Sequence, residues 1–550
     1  MNQPLDVFLA AQACIGPQVS SPNPREQVFP LLLNPMPASR TFEAAWLVLP
    51  ADFPSGSAII RLSRDAVLRI PHVEYDGKVC FDGDPGPASG LAPEDRIVHT
   101  LWQFNETFLT PWLSGALDGH FEDETRSYWE IFVRRHKSKV DPIKRVYTVD
   151  GRPPSPAITE AWLVLPDRTL VVGGNKGLED RLIASLGPRA RQRLRVLVAD
   201  IPIEFPWAPT SWPTSIEQIE LLLNSWLDST PLRRFATHLR HHRVVLFRAP
   251  QCTYAYLLPG GPPTVVERGK TKRAHRARSL LPLRAERFDP SWTYGRDQVP
   301  AVEPRQDQHV LVLGAGALAS PVIDQLARAG VGQISVVDPQ SLAAPNVGRH
   351  LLGAESVEEW KAVSVARRVE ASNPACRVQP FVEDVETWLT KQSLKAIDVI
   401  LDLTGEPGVR YAVEQARHQN PTPLLIAWME PFVAAAHACS LPADQMWLRD
   451  GLDPLLDLQA VRWPEDVMLR EPGCNSSFQS YTSSQAGYAV SLVAETALAL
   501  LDTQVDRASI RSWVRGQKFL DKHRAGLRLE PWAFSAVSFD GILLERDWYE

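Results

Sequence analysis

Residues 309–338 read His-Val-Leu-Val-Leu-Gly-Ala-Gly-Ala-Leu-Ala-Ser-Pro-Val-Ile-Asp-Gln-Leu-Ala-Arg-Ala-Gly-Val-Gly-Gln-Ile-Ser-Val-Val-Asp, and this pattern decides the fold of the second half of the chain. The apolar run 310–313 is of the kind that forms a strand buried on both faces. Gly314 and Gly316 then allow a tight turn and a close approach of backbone to a ligand, with Ala319 at the third small position. Apolar spacing predicts a helix to about Gly330, and a second strand ends at Asp338. Strand, Gly-rich turn, helix, strand and terminal acid form a cradle for phosphate at a helix N-terminus and for ribose hydroxyls at a carboxylate. Further strands are expected near 377–382, 397–402 and 423–428, alternating with helical stretches. The span 305–440 is therefore predicted as an α/β, doubly wound, Rossmann-like parallel sheet.

The chain has 550 residues, 44% hydrophobic and 22% charged, which implies a globular protein of several domains. A net charge of −6 argues against a general nucleic-acid binder. No apolar run reaches the ~20 residues of a membrane span, and the expectation is a cytoplasmic protein with neither nucleic-acid nor membrane partners. The segment 5–14 contains Asp6 and lacks a basic start, so it is expected to be a helix rather than a signal peptide. Six isolated cysteines suggest neither a disulfide framework nor a structural zinc site.

Upstream, 45–49 and 58–62 read as strands joined by a Pro/Gly turn, and 98–109 as a helix. A polar stretch at 141–155 suggests a boundary, and 160–166 echoes 44–50 too briefly to define a repeat. The basic run 268–278 reads as a linker. The expected domains are 1–145, 146–290 (an α/β middle domain with that linker) and 291–550.

Material after Asp338 distinguishes a passive nucleotide pocket from one that does chemistry. Asn346, Arg349 and Lys361 follow in order, and cleavage of ATP between its α- and β-phosphates needs cations such as Arg and Lys against pyrophosphate. With Asp398-Val-Ile-Leu-Asp402-Leu-Thr404 and Arg410, the pattern over about 300–500 resembles the adenylation domain of ubiquitin-activating enzymes and their bacterial relatives. The resemblance implies that Gly314, Gly316, Asp338, Asn346, Arg349 and Lys361 bind ATP, and that the chain forms a homodimer. Many members carry an acidic Mg²⁺ ligand after the threonine. Here Gly405 and Glu406 follow Thr404, so Asp402 becomes the first choice for the metal and Glu406 the second. Arg296 is the candidate for an arginine sent into a partner's site.

An acyl-adenylate is a good acceptor for a thiolate. Cys474 lies in a polar Gly/Pro loop before an apolar helix at about 485–501, and the family places its thioester cysteine there. Cys376 and Cys439 read as core residues. Cys80 lies in a stretch over about 25–135 that resembles ubiquitin-conjugating enzymes, which implies an α+β N-terminal domain. The family's Asn, eight residues before its cysteine, is replaced here by His72, a possible donor to the oxyanion. Together the resemblances point to bacterial conjugating–activating fusions of anti-phage operons. They imply a carrier that is a ubiquitin-like protein or a nucleotide cyclase with a free C-terminal carboxylate, and a target protein. Three alternatives stand beside this reading: a sulfur-carrier activator, an NAD oxidoreductase and a non-catalytic nucleotide-binding scaffold.

Overall fold

The computed structural model describes residues 14–21, 23–136, 141–187, 192–238, 241–261, 264–267, 270–273, 279–464, 467, 469–470, 477–478 and 481–548. Cys474 and nearly all of the expected helix at 5–14 lie outside them. The chain divides into two compact units. The first comprises 1–148, 152–172 and 191–286, and the second 149–151, 173–190 and 287–550.

The first unit opens with an antiparallel sheet of β1 (Gln27–Pro30), β2 (Ala45–Leu49) and β3 (Ile59–Leu62). Alternation places Leu47, Ile60 and Leu62 in a core with Val67, Ile70, Val79, Phe104 and Phe108. Helix α1 (Pro93–Gln103) continues through a π-helical turn to Leu109, so the helix expected at 98–109 starts earlier than its apolar spacing indicates. Proline at its first position accounts for that start. Helix α2 (Thr125–His136) follows.

The same unit contains a closed seven-stranded barrel of β4 (Arg145–Thr148), β5 (Ala157–Leu165), β6 (Thr169–Val172), β7 (Gln192–Pro202), β8 (His242–Arg248), β9 (Thr253–Leu257) and β10 (Leu281–Arg287). Val146, Leu163, Val196, Val198, Val244 and Leu246 belong to one of its cores. The two echoing segments thus fall in different sheets. The basic run is not simply a linker, because Lys270–Arg273 pairs antiparallel with Thr264–Glu267.

In the second unit β11 (His309–Leu313), β12 (Gln333–Val337), β13 (Arg377–Phe381), β14 (Val399–Asp402) and β15 (Leu424–Met429) form the expected parallel sheet. Three antiparallel strands extend it: β16 (Ala435–Leu441), β17 (Ser509–Val514) and β18 (Ile542–Asp547). The order is β13-β12-β11-β14-β15-β16-β17-β18. Helices α3 (Ala319–Arg328), α4 (Lys361–Ser372), α5 (Pro407–Gln419) and α6 (Ser483–Leu501) accompany it. Contrary to the sequence expectation, α6 has the length and composition of a membrane span. Its Ala489, Val493 and Ala497 nevertheless pack in the core with Val312, Ile323 and Leu425. A capping box starts it: Gln485 N–H donates to Thr482 Oγ1, and Thr482 N–H donates to Gln485 Oε1 at 2.8 Å.

Candidate active sites

Strand order reverses between β11 and β14, so the turns after these strands leave a crevice beyond their carboxyl ends. Gly314 has φ +91°, which favours glycine. A Cβ on it would lie 3.4 Å from the Leu403 carbonyl oxygen, where the turn after β14 begins. A Cβ on Gly316 would meet nothing within 4 Å, so the backbone there faces open space.

Both peptide groups of Ala315, between the two glycines, are held. Its N–H donates to Asp338 Oδ2 at 2.7 Å, and its carbonyl accepts from His350 Nε2 at 2.6 Å. The other His350 nitrogen, Nδ1, accepts from Leu352 N–H at 3.1 Å, which requires a neutral ring with its proton on Nε2. Burial pushes the His350 pKa down, in keeping with that form. Asp338 Oδ1 accepts from Gln340 N–H at 2.7 Å, and Gln340 Oε1 accepts from Lys361 Nζ at 2.7 Å. Lys361 itself is buried at the start of α4. One hydrogen-bonded chain thus joins Lys361, Gln340, Asp338, Ala315 and His350. The positioning roles of Gln340 and His350 have no motif of their own in the sequence; only the folded contacts define them.

Asn346 Oδ1 accepts from Ala343 N–H at 3.2 Å and closes its own turn. The Arg349 guanidinium lies 5.3 Å from the centroid of the Tyr481 ring, a cation–π contact. Arg410 is buried against Asp453, with Nε donating to Oδ2 at 2.7 Å. Arg296 is exposed in left-handed backbone at the end of the helix Pro290–Gly295. It shares no hydrogen bond or ion pair with the cradle among the described residues.

Asp402 ends β14 beside Leu313, next to the glycine turn. Its Oδ1 accepts from Thr404 N–H at 3.0 Å and from Thr404 Oγ1 at 2.7 Å. Its Oδ2 is buried without a partner, and burial pushes the carboxyl pKa up. An orphaned carboxylate oxygen beside a phosphate cradle fits a Mg²⁺ ion held by one carboxylate, phosphate oxygens and water. Glu406, the second choice, is exposed at the N-cap of α5. Among the described residues no cluster of three or more His, Cys, Asp or Glu could hold a metal alone.

In the first unit Cys80 is exposed, directly after the bridge that pairs Val73 with Val79. Its N–H donates to the His72 carbonyl at 2.7 Å. His72 sits at φ +59°, and its N–H donates to Tyr128 Oη at 2.7 Å. Its Nε2 lies 2.7 Å from His120 Nδ1, and its Nδ1 lies 3.5 Å from Glu124 Oε1. Both ring nitrogens therefore have partners within the chain. Cys376 and Cys439 are fully buried, and burial pushes both thiols up. Buried Cys252 is pushed up to about 12. Such thiols do not supply thiolate at neutral pH.

The second unit contains a Rossmann-like domain of the ThiF type: residues 300–508 match the ThiF family. The chain is similar to the ATP-dependent ubiquitin transferase-like protein Cap2 of Pseudomonas aeruginosa, at 22% identity over 52% of this chain and 55% of that one. It is also similar to a sulfur carrier protein adenylyltransferase of Thermus thermophilus, at 32% identity over 22% of this chain and 46% of the relative. The chain thus spans about half the length of these relatives. Among solved structures, E. coli MccB with ATP has a TM-score of 0.30 and 16% identity, covering 40% of this chain and 64% of that one. That likeness is too low to bear on the fold or the activity.

Proposed function

We propose that this chain uses ATP to activate the C-terminal carboxylate of a ubiquitin-like protein, or of a nucleotide cyclase, and passes the acyl group through thioesters to a target in anti-phage defence. The observation that carries the first step is the hydrogen-bonded chain from Lys361 to His350. It stiffens the glycine turn and presents a buried ammonium at the nucleotide crevice. A carboxylate oxygen attacks the α-phosphorus of ATP, and pyrophosphate leaves. Lys361 and Arg349 offset the charge that develops on it. Arg349 exchanges its aromatic contact for phosphate. Asn346 and the backbone around Gly314 and Gly316 orient the nucleotide, and Asp338 fixes the turn while remaining within reach of the ribose. Asp402 would hold Mg²⁺, which when bound neutralises phosphate charge.

The Cys474 thiolate then displaces AMP and forms the first thioester. Exposed Cys80 takes the acyl group by thiol exchange and yields it to the target. The segments 1–145, 146–290 and 291–550 serve respectively as conjugating domain, middle domain and adenylation domain. Two copies in the cytoplasm pair through the last, with Arg296 reaching the partner's site. The Cap2 likeness supports the ubiquitin-like carrier. A second reading, activation of a sulfur carrier, is favoured by the Thermus relative; it gives no role to Cys80.

ATP–pyrophosphate exchange tests the activation step. Small proteins ending in a free glycine carboxylate should promote exchange, and the same proteins with an amidated end should not. Exchange indifferent to the carboxylate, or reduction of NAD in its place, would refute the proposal.

A further inference from the structure

His72 faces Cys80 across the short hairpin that Val73 and Val79 close, and the Cys80 N–H to His72 carbonyl bond fixes the pair. Cys80 also acts electrostatically on Tyr128, which accepts the His72 N–H, so the thiol and the ring share one neighbourhood. The His72 ring does not stand alone there. Glu124 lies on one side of it and His120 on the other, brought in from 52 and 48 residues away. Tyr128 anchors the assembly, accepting from His72 N–H and donating to Glu124 Oε2 at 2.9 Å.

The partners fix the tautomers. A carboxylate only accepts, so His72 carries its proton on Nδ1, toward Glu124. His72 Nε2 is then an acceptor, and His120 Nδ1 must donate to it. That leaves the lone pair of His120 on Nε2, with no partner among the described residues, on a partly exposed ring. The two rings meet edge to face at 5.0 Å. A carboxylate that orients one imidazole, which in turn orients a second, produces one outward-facing base.

We infer that His120, positioned by His72 and Glu124, is the proton acceptor when an amine discharges the Cys80 thioester. This rests on the proposed function and names a part that the reading of the sequence did not contain. The amine nitrogen forms a bond to the thioester carbonyl carbon, and the carbon–sulfur bond breaks. The electron pair leaves with Cys80 as thiolate, and the surplus amine proton goes to His120 Nε2. The imidazolium is stabilised through His72 by the Glu124 carboxylate. The titratable groups facing the ring pair are Glu124, Tyr128 and Cys80. Burial lowers the proton affinity of His72 overall; the Glu124 carboxylate opposes that effect and the His120 ring adds to it.

The test separates this inference from the ATP chemistry. The full chain is S-acetylated with the acetyl thioester of N-acetylcysteamine. Discharge of the Cys80 acetyl group by free lysine is followed by mass spectrometry of the Cys80 peptide as a function of pH. Since general bases contribute about 10²–10⁴-fold, His120→Ala should slow lysine-dependent discharge at least about tenfold, and added imidazole should restore it. Imidazole rescue is a response that a merely structural role would not give. Glu124→Gln, at an exposed position, should move the midpoint of the pH profile to lower pH, because the pair loses its carboxylate. Superposable rates and profiles in wild type and both variants, or loss in His120→Ala without imidazole rescue, would overturn the inference. Because acetylation bypasses ATP, failure of carrier activation would leave this result intact, and the reverse also holds.

Discussion

Lys361 is the residue on which the proposed ATP chemistry turns. It is buried, and its ammonium donates to a neutral amide, Gln340, instead of a carboxylate. It is thus poised to exchange that amide for phosphate without first breaking an ion pair. Lys361→Ala should lower ATP–pyrophosphate exchange by about 10²–10³, in line with loss of one charge-stabilising donor. A variant with wild-type exchange would remove Lys361 from the chemistry. Asn346, Arg349 and Lys361 were proposed from the sequence because their order follows a Gly-rich turn. His350 and Gln340 could not be assigned, since their roles depend on which backbone groups they meet. The same holds for His120 and Glu124, far from His72 in sequence and close only after folding.

At the scale of elements, the inner parallel strands β11, β14 and β15 were legible because strands buried on both faces read as unbroken apolar runs, whereas the edge strand β13 is of mixed composition, with Val378 its one buried residue. Ser509–Val514 mixes polar and apolar residues without regular alternation, with polar Ser512 on its buried face, and carries no nucleotide motif, so the antiparallel extension was not legible. The barrel escaped for a related reason: its closure depends on pairings between strands far apart in the chain. Within the barrel, His242 on β8 is buried, and its Nδ1 has no partner. Burial lowers its pKa to about 4, against 6.5 when unperturbed. The unfolded chain binds that proton below pH 6.5 and the folded chain only below about 4. Stability is therefore full above pH 6.5 and falls as the pH drops toward 4. Between pH 6.5 and 5 the loss from this group is about 2 kcal/mol. Urea unfolding of the barrel at pH 7 and pH 5 should show it, and His242→Leu should reduce the difference; an unchanged difference would exclude His242 as the source.

In the β2–β3 region a buried ion pair has a comparable structural role. Arg96 Nε donates to Asp84 Oδ1 at 2.8 Å, and both side chains are almost wholly buried. Arg96 also donates to the carbonyls of Pro54 and Gly56, while Asp84 accepts from the N–H groups of Ala58 and Gly86. Removing one partner strands the other charge, so Asp84→Ala should cost about 3–5 kcal/mol. Chemical denaturation of the full chain reads this directly, and a loss below about 1 kcal/mol would contradict it.

At the scale of the whole molecule, the proposed function gives the two units separable chemistries, and the order of the thioesters is the testable link. Incubated with ATP and a carrier, Cys474→Ala should abolish every thiol-sensitive adduct, whereas Cys80→Ala should leave the adduct on Cys474. An adduct on Cys80 in the Cys474→Ala protein would reverse the proposed order. Nucleotide binding underlies all of it and is measured most directly by calorimetric titration of the full chain with ATP and Mg²⁺, and separately with NADH. The account predicts that ATP binds, that Lys361→Ala weakens binding at least about tenfold, and that NADH does not bind. Binding of NADH, or no binding of ATP by the wild-type chain, would contradict it.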